Sequence, residues 1–391
     1  MKVFLVAGEP SGDRLGGALM AGLKSLQPDI AFNGIGGTQM IAQGLVSRFP
    51  MDELSVMGLA EILPKYFHLK RRIRETAQAV LDTQPDVLIT VDSPDFCLRV
   101  ARQVKDAGNI RTVHYVAPTV WAWRPGRAAK MARVIDHVLA LFPFEPPLMQ
   151  AAGMDCDFVG HPVVAEPQSS EQEAAAFRAE MGGDILLVLP GSRRGEVSRL
   201  APTFGAALER FLNTHPETRV VVPAAGPVEP LVRDAVRHWP GNPIVIPASD
   251  PARKRAAFAA ARLALAASGT VSLELAAAQT PMVIAYDMSW LSRRIISRML
   301  LVDTVTLVNL VSETRTVPEF IGEKCQPDLI AEGLAQVWTA PGAQADAMAL
   351  TMQRLGQGGT PPGLRAAEAV LARLQPRQIQ PPPSTRVPPV S

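Results

Sequence analysis

Apolar positions along this chain fall into two patterns: short continuous runs closed by turn residues, and longer segments with helical spacing. Ile185-Leu-Leu-Val-Leu189 is one such run, closed by Pro190-Gly-Ser192. A run of that length, bounded by turn residues, suits a strand buried on both faces. After it, Leu200, Phe204, Ala207, Leu208 and Phe211 recur at helical spacing over 198–213. The unit predicted is strand, glycine loop and helix, with Arg193 and Arg194 in the loop.

The same unit recurs along the chain. Residues 3–7 read as a strand, 8–13 as a glycine loop and 14–26 as a helix ended by Pro28. Further strands are expected over 31–33, 87–91, 111–116, 138–141 and 157–159, with a helix from Asp92-Ser-Pro-Asp95 to about 107. A second series is expected near 185–189, 219–223, 244–246, 262–266 and 282–285. Residues 163–170 shift to Pro, Gln, Ser and acid, which marks a linker. Residues 328–374 are mostly helical in pattern, and the Pro-rich stretch 375–391 has no apolar periodicity and should be disordered. The fold class expected is α/β, with doubly wound domains over 1–165 and 166–363. In such sheets ligands bind outside the carboxyl ends of the strands. Every glycine loop sits at such an end, so two facing domains would line one cleft.

One segment departs from this alternation. Val56, Met57, Leu59, Ile62, Leu63, Tyr66 and Phe67 make an apolar face, followed by Lys70, Arg71 and Arg72. That is the pattern of a helix lying in a membrane interface, where each basic side chain contributes about 1 kcal/mol near an anionic surface. The plainer reading is an amphipathic helix on the sheet with its basic face in water. Pro64 should kink or divide the segment.

Composition narrows the class. The chain has 391 residues and is 47% hydrophobic, enough for two sizeable cores, and its net charge of +2 gives no reason to expect a nucleic-acid partner. Cys97, Cys156 and Cys325 are scattered, which argues for a reducing compartment and against a disulfide frame or zinc site. The first residues meet Gly8-Glu9-Pro10 too early for a signal peptide. No uninterrupted apolar run reaches the roughly 20 residues of a membrane span. A cytoplasmic protein, soluble or peripheral, is expected.

Candidate chemistry lies in the loops. Helix N-termini attract anions and an arginine fork matches two phosphate oxygens, so Gly191, Ser192 and Arg193 suit a phosphate-bearing ligand. Ser268, Gly269 and Thr270 offer a second small-residue loop before a helix. Glu274, one to two turns inside, could reach a ribose diol or belong to a structural ion pair. Glu9, Ser11, Gly12 and Asp13 form a glycine loop without GxGxxG spacing or a P-loop lysine. It could meet a sugar, or Ser11 or Asp13 could cap the helix. Asp92 and Asp95 follow a buried strand. A carboxylate there can act as general base, worth roughly 10²–10⁴-fold in rate, or cap the helix; Asp95 is the more catalytic and Asp92 the more structural. Trp121, Trp123, Arg124 and Arg127 form an aromatic–basic cluster that reads more as core and turn. His114 and His161 read as structural. No His, Asp and Glu set has metal-ligand spacing, so no metal is expected.

Several motifs occur in order: Ala7-Gly-Glu-Pro-Ser-Gly-Asp13, Met57-Gly-Leu-Ala-Glu-Ile-Leu63, Asp92-Ser-Pro-Asp-Phe96, His114-Tyr-Val-Ala-Pro-Thr-Val-Trp-Ala-Trp-Arg124, Leu189-Pro-Gly-Ser-Arg193, and Ser268-Gly-Thr270 with Glu274. Together they resemble the lipid-A-disaccharide synthases over about residues 3–374. The resemblance implies a GT-B glycosyltransferase, with two Rossmann-like domains facing across a cleft and a last helix, near 364–374, packing back onto the first domain. It implies transfer from UDP-2,3-diacylglucosamine to 2,3-diacylglucosamine 1-phosphate, forming a β-1,6 linkage with inversion, releasing UDP and using no metal or cofactor. Members are peripheral inner-membrane proteins of Gram-negative bacteria, and some are homodimers. On this resemblance Asp95 is the base on the acceptor 6-hydroxyl and Arg193 holds the UDP diphosphate. Ser268, Gly269 and Thr270 bind phosphate, Glu274 the ribose, and Asn309 lies near the nucleotide. The apolar face from Val56 would accept acyl chains at the membrane. Two positions depart from the family pattern: Cys97 stands where Asn is usual, and Gly322 where Gln is usual. The competing readings are another GT-B enzyme, such as a UDP-GlcNAc epimerase or a non-lipid transferase, and a non-catalytic membrane-binding module.

Overall fold

The computed structural model describes residues 1–54, 59–288, 293–294 and 301–374, with the side chains of 59–65 left aside. It contains two six-stranded parallel sheets, each flanked by helices. The first holds β1 Lys2–Ala7, β2 Ala31–Ile35, β3 Val87–Val91, β4 Arg111–Tyr115, β5 His137–Ala140 and β6 Asp155–Phe158, in the order β2-β1-β3-β4-β5-β6. The second holds β7 Ile185–Leu189, β8 Arg219–Pro223, β9 Ile244–Ile246, β10 Leu263–Ala267, β11 Met282–Tyr286 and β12 Glu319–Ile321, in the order β12-β11-β10-β7-β8-β9. All five residues of β3, β7 and β10 are buried. Helices cover both faces, which is why these strands are continuous apolar runs.

Strand order reverses between β1 and β3 in the first sheet and between β7 and β10 in the second. At such a switch point the neighbouring loops diverge to opposite faces and leave a crevice. Residues 8–9 and 92–95 flank the first crevice; residues 191–193 and 268–270 flank the second.

Helices begin earlier than their periodicity suggests. α1 spans Pro10–Leu26 and α2 Thr38–Ala42. Proline is suited to the first helical turn because its missing N–H has no partner there in any case. The loop after β1 is therefore Gly8 and Glu9 alone, shorter than the 8–13 loop expected. α3 spans Leu59–Thr83 and is helical straight across Pro64, so the expected division is not found. α4 spans Pro94–Ala107. β12 has no apolar run and was not legible as a strand.

The C-terminal helix Pro362–Leu374 packs on α1 of the first sheet. The approach is close: a Cβ on Gly22 would meet the Gly363 carbonyl oxygen at 2.7 Å, and one on Gly363 the Ala18 oxygen at 2.6 Å. Arg373 binds Asp155 and Asp157 beside β6, and Arg365 Nη2 donates to the Phe158 carbonyl at 3.0 Å. Among the described residues no helix is long and apolar enough to cross a membrane.

Candidate active site

Gly191 has φ +121, and a Cβ there would meet the Glu196 side chain at 2.7 Å. Glycine is therefore required on two grounds. The loop then enters the helix Arg194–Thr214. Glu196 reaches back into it: Oε2 accepts from the Ser192 N–H at 3.1 Å and the Arg193 N–H at 3.3 Å, and Oε1 from Arg193 Nη1 at 3.3 Å. A carboxylate thus sits on the anion-attracting N–H groups of the loop. The Arg193 side chain itself is 68% exposed.

The second loop, 268–270, follows β10 and opens the helix Val271–Ala277. Glu274, on that helix, accepts from Lys254 Nζ at 2.7 Å. Lys254 comes from the helix Pro251–Ala260. Gly191, Ser192, Arg193, Ser268, Gly269, Thr270 and Glu274 line one cavity of about 400 Å³, with Glu196 and Lys254. The structure thus brings together every residue expected on this wall but one. Asn309 is fully buried, and its amide is consumed by Val317 N–H, Val317 carbonyl and Thr304 Oγ1. It pins the loop before β12 and does not line the cavity.

The opposite wall comes from the first sheet. A Cβ on Gly8 would meet Ser93 Oγ at 2.6 Å, so the loops after β1 and β3 touch. Asp92 and Ser93 take left-handed φ values of 53° and 44°, strain that side chains ordinarily avoid and that clusters at functional sites. Ser11 Oγ approaches Asp92 Oδ2 to 3.5 Å. Asp95 lies exposed in the first turn of α4, while Asp92 borders two cavities of the cleft. Burial, followed by the charge of Asp92, pushes the Glu9 carboxyl above its ordinary range, and Arg193 partly offsets this.

Asp13 is a correction. It is buried and accepts from the N–H groups of Gly37, Gln39 and Met40 at 2.8, 2.9 and 3.1 Å. It caps α2, a neighbouring helix, and cannot serve the acceptor. Gly12 is buried against the Val91 carbonyl. Cys97 lies beneath β1 with its thiol pushed up by burial, out of reach of the cleft. Gly322 takes φ +62 at the end of β12, a conformation a glutamine would hold with strain. His114 is buried with Nδ1 2.7 Å from Thr90 Oγ1, and His161 Nδ1 accepts from Val163 N–H; burial pushes both down to about 4.

Along 56–72, Val56 and Met57 lie outside the described residues, and only the backbone of Leu59, Ile62 and Leu63 is described. Tyr66 is 45% and Phe67 81% exposed, and their rings meet edge to face. Lys70 and Arg71 are exposed. Arg72 is not available to a surface, since it is bound to Glu53 and Glu75. Glu196 and Lys254 were missed in the sequence. Both lie one helical turn from a loop or helix start, the one signal that could have found them.

A family model described as lipid-A-disaccharide synthetase matches residues 3–357. The lipid-A-disaccharide synthase of Ruegeria pomeroyi is 68% identical over 383 residues, covering 96% of each chain. That of Rhodospirillum centenum is 46% identical over 386 residues, again covering 96% of each. Among solved structures, UDP-GlcNAc 2-epimerase from Neisseria meningitidis bound to UDP-GlcNAc superposes with a TM-score of 0.62 at 13% identity, covering 96% of this chain and 99% of that one. Acinetobacter baumannii MurG does so at 0.54 and 14%, covering 95% and 98%. These distant structures share the GT-B fold.

Proposed function

The chain belongs to the lipid-A-disaccharide synthase family, and from that premise we propose how its cleft carries out the transfer. The reaction moves the diacylglucosamine of UDP-2,3-diacylglucosamine onto 2,3-diacylglucosamine 1-phosphate, giving the β-1,6 disaccharide 1-phosphate and UDP.

UDP lies against the second sheet. The N–H groups of 268–270 face its diphosphate, the Arg193 guanidinium pairs with it, and Glu274 takes the ribose hydroxyls while Lys254 holds Glu274 in place. The acceptor enters from the first sheet, beside Glu9 and Ser11. Asp95 removes the proton of the acceptor 6-hydroxyl. The freed oxygen attacks the anomeric carbon from the face opposite UDP, and the carbon–oxygen bond to the diphosphate breaks. Configuration inverts, and Arg193 stabilises the charge that builds on the leaving diphosphate. Positive charge comes from the protein, so no metal ion or cofactor takes part in this scheme. Tyr66 and Phe67, with Lys70 and Arg71, rest on the cytoplasmic surface of the inner membrane, where both lipid substrates reside.

The observation that carries this reading is that the two switch-point crevices face each other, with one cavity bordered by Asp92 of the first wall and by Thr270 and Glu274 of the second. Incubating the purified protein with both substrates tests it: disaccharide and UDP should form in equal amounts. Turnover of unacylated UDP-GlcNAc without disaccharide would instead indicate epimerase chemistry on the shared fold.

A further inference from the structure

A second cavity, of about 810 Å³, joins the cleft. It reaches Asp92 of the first wall and Thr270 and Glu274 of the second. From there it follows α1: Ser11 and Ser25 both border it, a span of about 21 Å at 1.5 Å per residue. The cavity is therefore a slot that leads away from the reacting centre. Its sides are largely apolar, formed by Leu15, Ala21, Val116, Leu141, Val163 and Leu364; of the polar groups along it, Arg14 is paired with Glu166 at 3.3 Å and His161 Nδ1 accepts from the Val163 N–H. Close packing is the rule inside proteins, so an open apolar slot joined to an active site is the form a ligand pocket takes.

A separate observation points to an occupant. Tyr115 is fully buried and borders the slot, and its hydroxyl has no hydrogen-bond partner. Buried polar groups are ordinarily paired, and an orphan calls for an explanation. Burial also keeps this phenol protonated, so it can donate to an oxygen. The slot thus offers a largely apolar channel with one buried, unpaired hydroxyl. A sugar would need many free polar partners along the channel and a diphosphate free cations, whereas Arg14 is bound to Glu166 and Ser25 to the Gly22 carbonyl. An acyl chain with a carbonyl at its head needs what is present.

We propose that this slot holds an acyl chain of one of the two diacyl sugars, with the Tyr115 hydroxyl donating to an oxygen at the head of the chain. The proposal rests on the family's acylated substrates. Donor and acceptor carry the same chemistry, and the experiment distinguishes them.

Binding of UDP-diacylglucosamine, of diacylglucosamine 1-phosphate, of short-chain forms of each, and of UDP is measured by calorimetry on Ala21→Phe, Tyr115→Phe and the parent protein. Ala21 is exposed on α1, so the larger side chain fills the slot without entering a core. Ala21→Phe should weaken one long-chain ligand by at least about tenfold, the loss expected when two or more methylenes are shut out. It should leave the short-chain forms and UDP unchanged. Tyr115→Phe should weaken the same ligand about fivefold, one neutral hydrogen bond. The ligand affected identifies the chain's owner. Unchanged binding of both long-chain ligands in Tyr115→Phe and Ala21→Phe overturns the proposal, as does an equal loss of UDP binding. These are binding measurements, so a failure of disaccharide formation in the parent protein would count against the catalytic reading alone.

Discussion

Lys254 and Glu274, twenty positions apart in sequence and on different helices, meet at 2.7 Å on the wall of the cavity between the loops 191–193 and 268–270. Both of the sequence-derived readings of Glu274 survive this geometry, because an ion pair that fixes a carboxylate also aims it. Lys254→Met should therefore weaken UDP binding about tenfold, at the low end for a charged hydrogen bond since both groups are partly exposed. Calorimetry with UDP checks this, and an unchanged affinity would show that the pair only braces the helices.

Arg193 donates to Glu196 while lying mostly in solvent, so it is held by one end and free to meet a phosphate. Arg193→Ala should lower UDP affinity by about 10- to 150-fold, the equivalent of a charge-assisted bond of 1.5–3 kcal/mol. Arg193→Lys should recover only part, since a point charge replaces a planar fork. Glu196→Gln keeps the shape of the cap and removes a charge from the anion site. UDP should bind it more tightly at low salt, and the gain should shrink as salt rises. Weaker binding by Glu196→Gln at every salt concentration would mean that the carboxylate aligns the loop more than it opposes the ligand.

His114 and His161 are buried and neutral, with folded-state values near 4 against an ordinary 6.5. Between those values the unfolded chain binds their protons and the folded chain does not, so stability is lost as pH falls from 6.5 toward 4. Glu145 acts the other way. Burial pushes its carboxyl up to about 7, so it favours the folded state increasingly as pH falls from 7 to 4.5. The two histidines outweigh Glu145 and the less strongly raised Glu9, and urea midpoints should fall from pH 6.5 to 4.5. His114→Gln should flatten that slope and Glu145→Gln should steepen it. A midpoint that rises over this range would contradict the assignment.

Phe67 projects from α3 at 81% exposure beside exposed Lys70 and Arg71. In sedimentation with anionic vesicles, Phe67→Ser should lower binding at all salt concentrations. Lys70→Ala or Arg71→Ala should each lower it about fivefold at low salt, near 1 kcal/mol per charge. Arg72→Ala should act chiefly on stability, because its guanidinium is held by Glu53 and Glu75. Equal vesicle binding by Phe67→Ser and the parent chain would show that this face does not rest on the membrane.

The two sheets were legible because parallel strands buried on both faces are written as apolar runs, as in Ile185-Leu-Leu-Val-Leu189. Loops at their ends were legible because glycine marks positions such as Gly191, where φ and space both exclude a side chain. β12 was not, since Glu319-Phe-Ile321 is an edge strand with no apolar run. Side-chain partnerships were the hardest to see. Asp13 caps a helix formed 25 residues later, and Asn309 spends its amide on Val317; both look like free polar loop residues until the chain is folded. Lys254 fell outside view for the converse reason, since its place one turn into the helix Pro251–Ala260 marks it only as near a helix start and does not show what lies across from it.

In this scheme the nucleotide sits on one sheet and the base comes from the other. Asp95→Ala tests it most directly, with turnover and UDP affinity measured on the same preparation and Asp92→Ala as the companion variant. Turnover of Asp95→Ala should fall by at least about 100-fold, the lower end for loss of a general base, with UDP affinity unchanged and a smaller loss in Asp92→Ala. Wild-type turnover in Asp95→Ala would contradict the claim, and a larger loss in Asp92→Ala would move the base to the residue that lines the cleft.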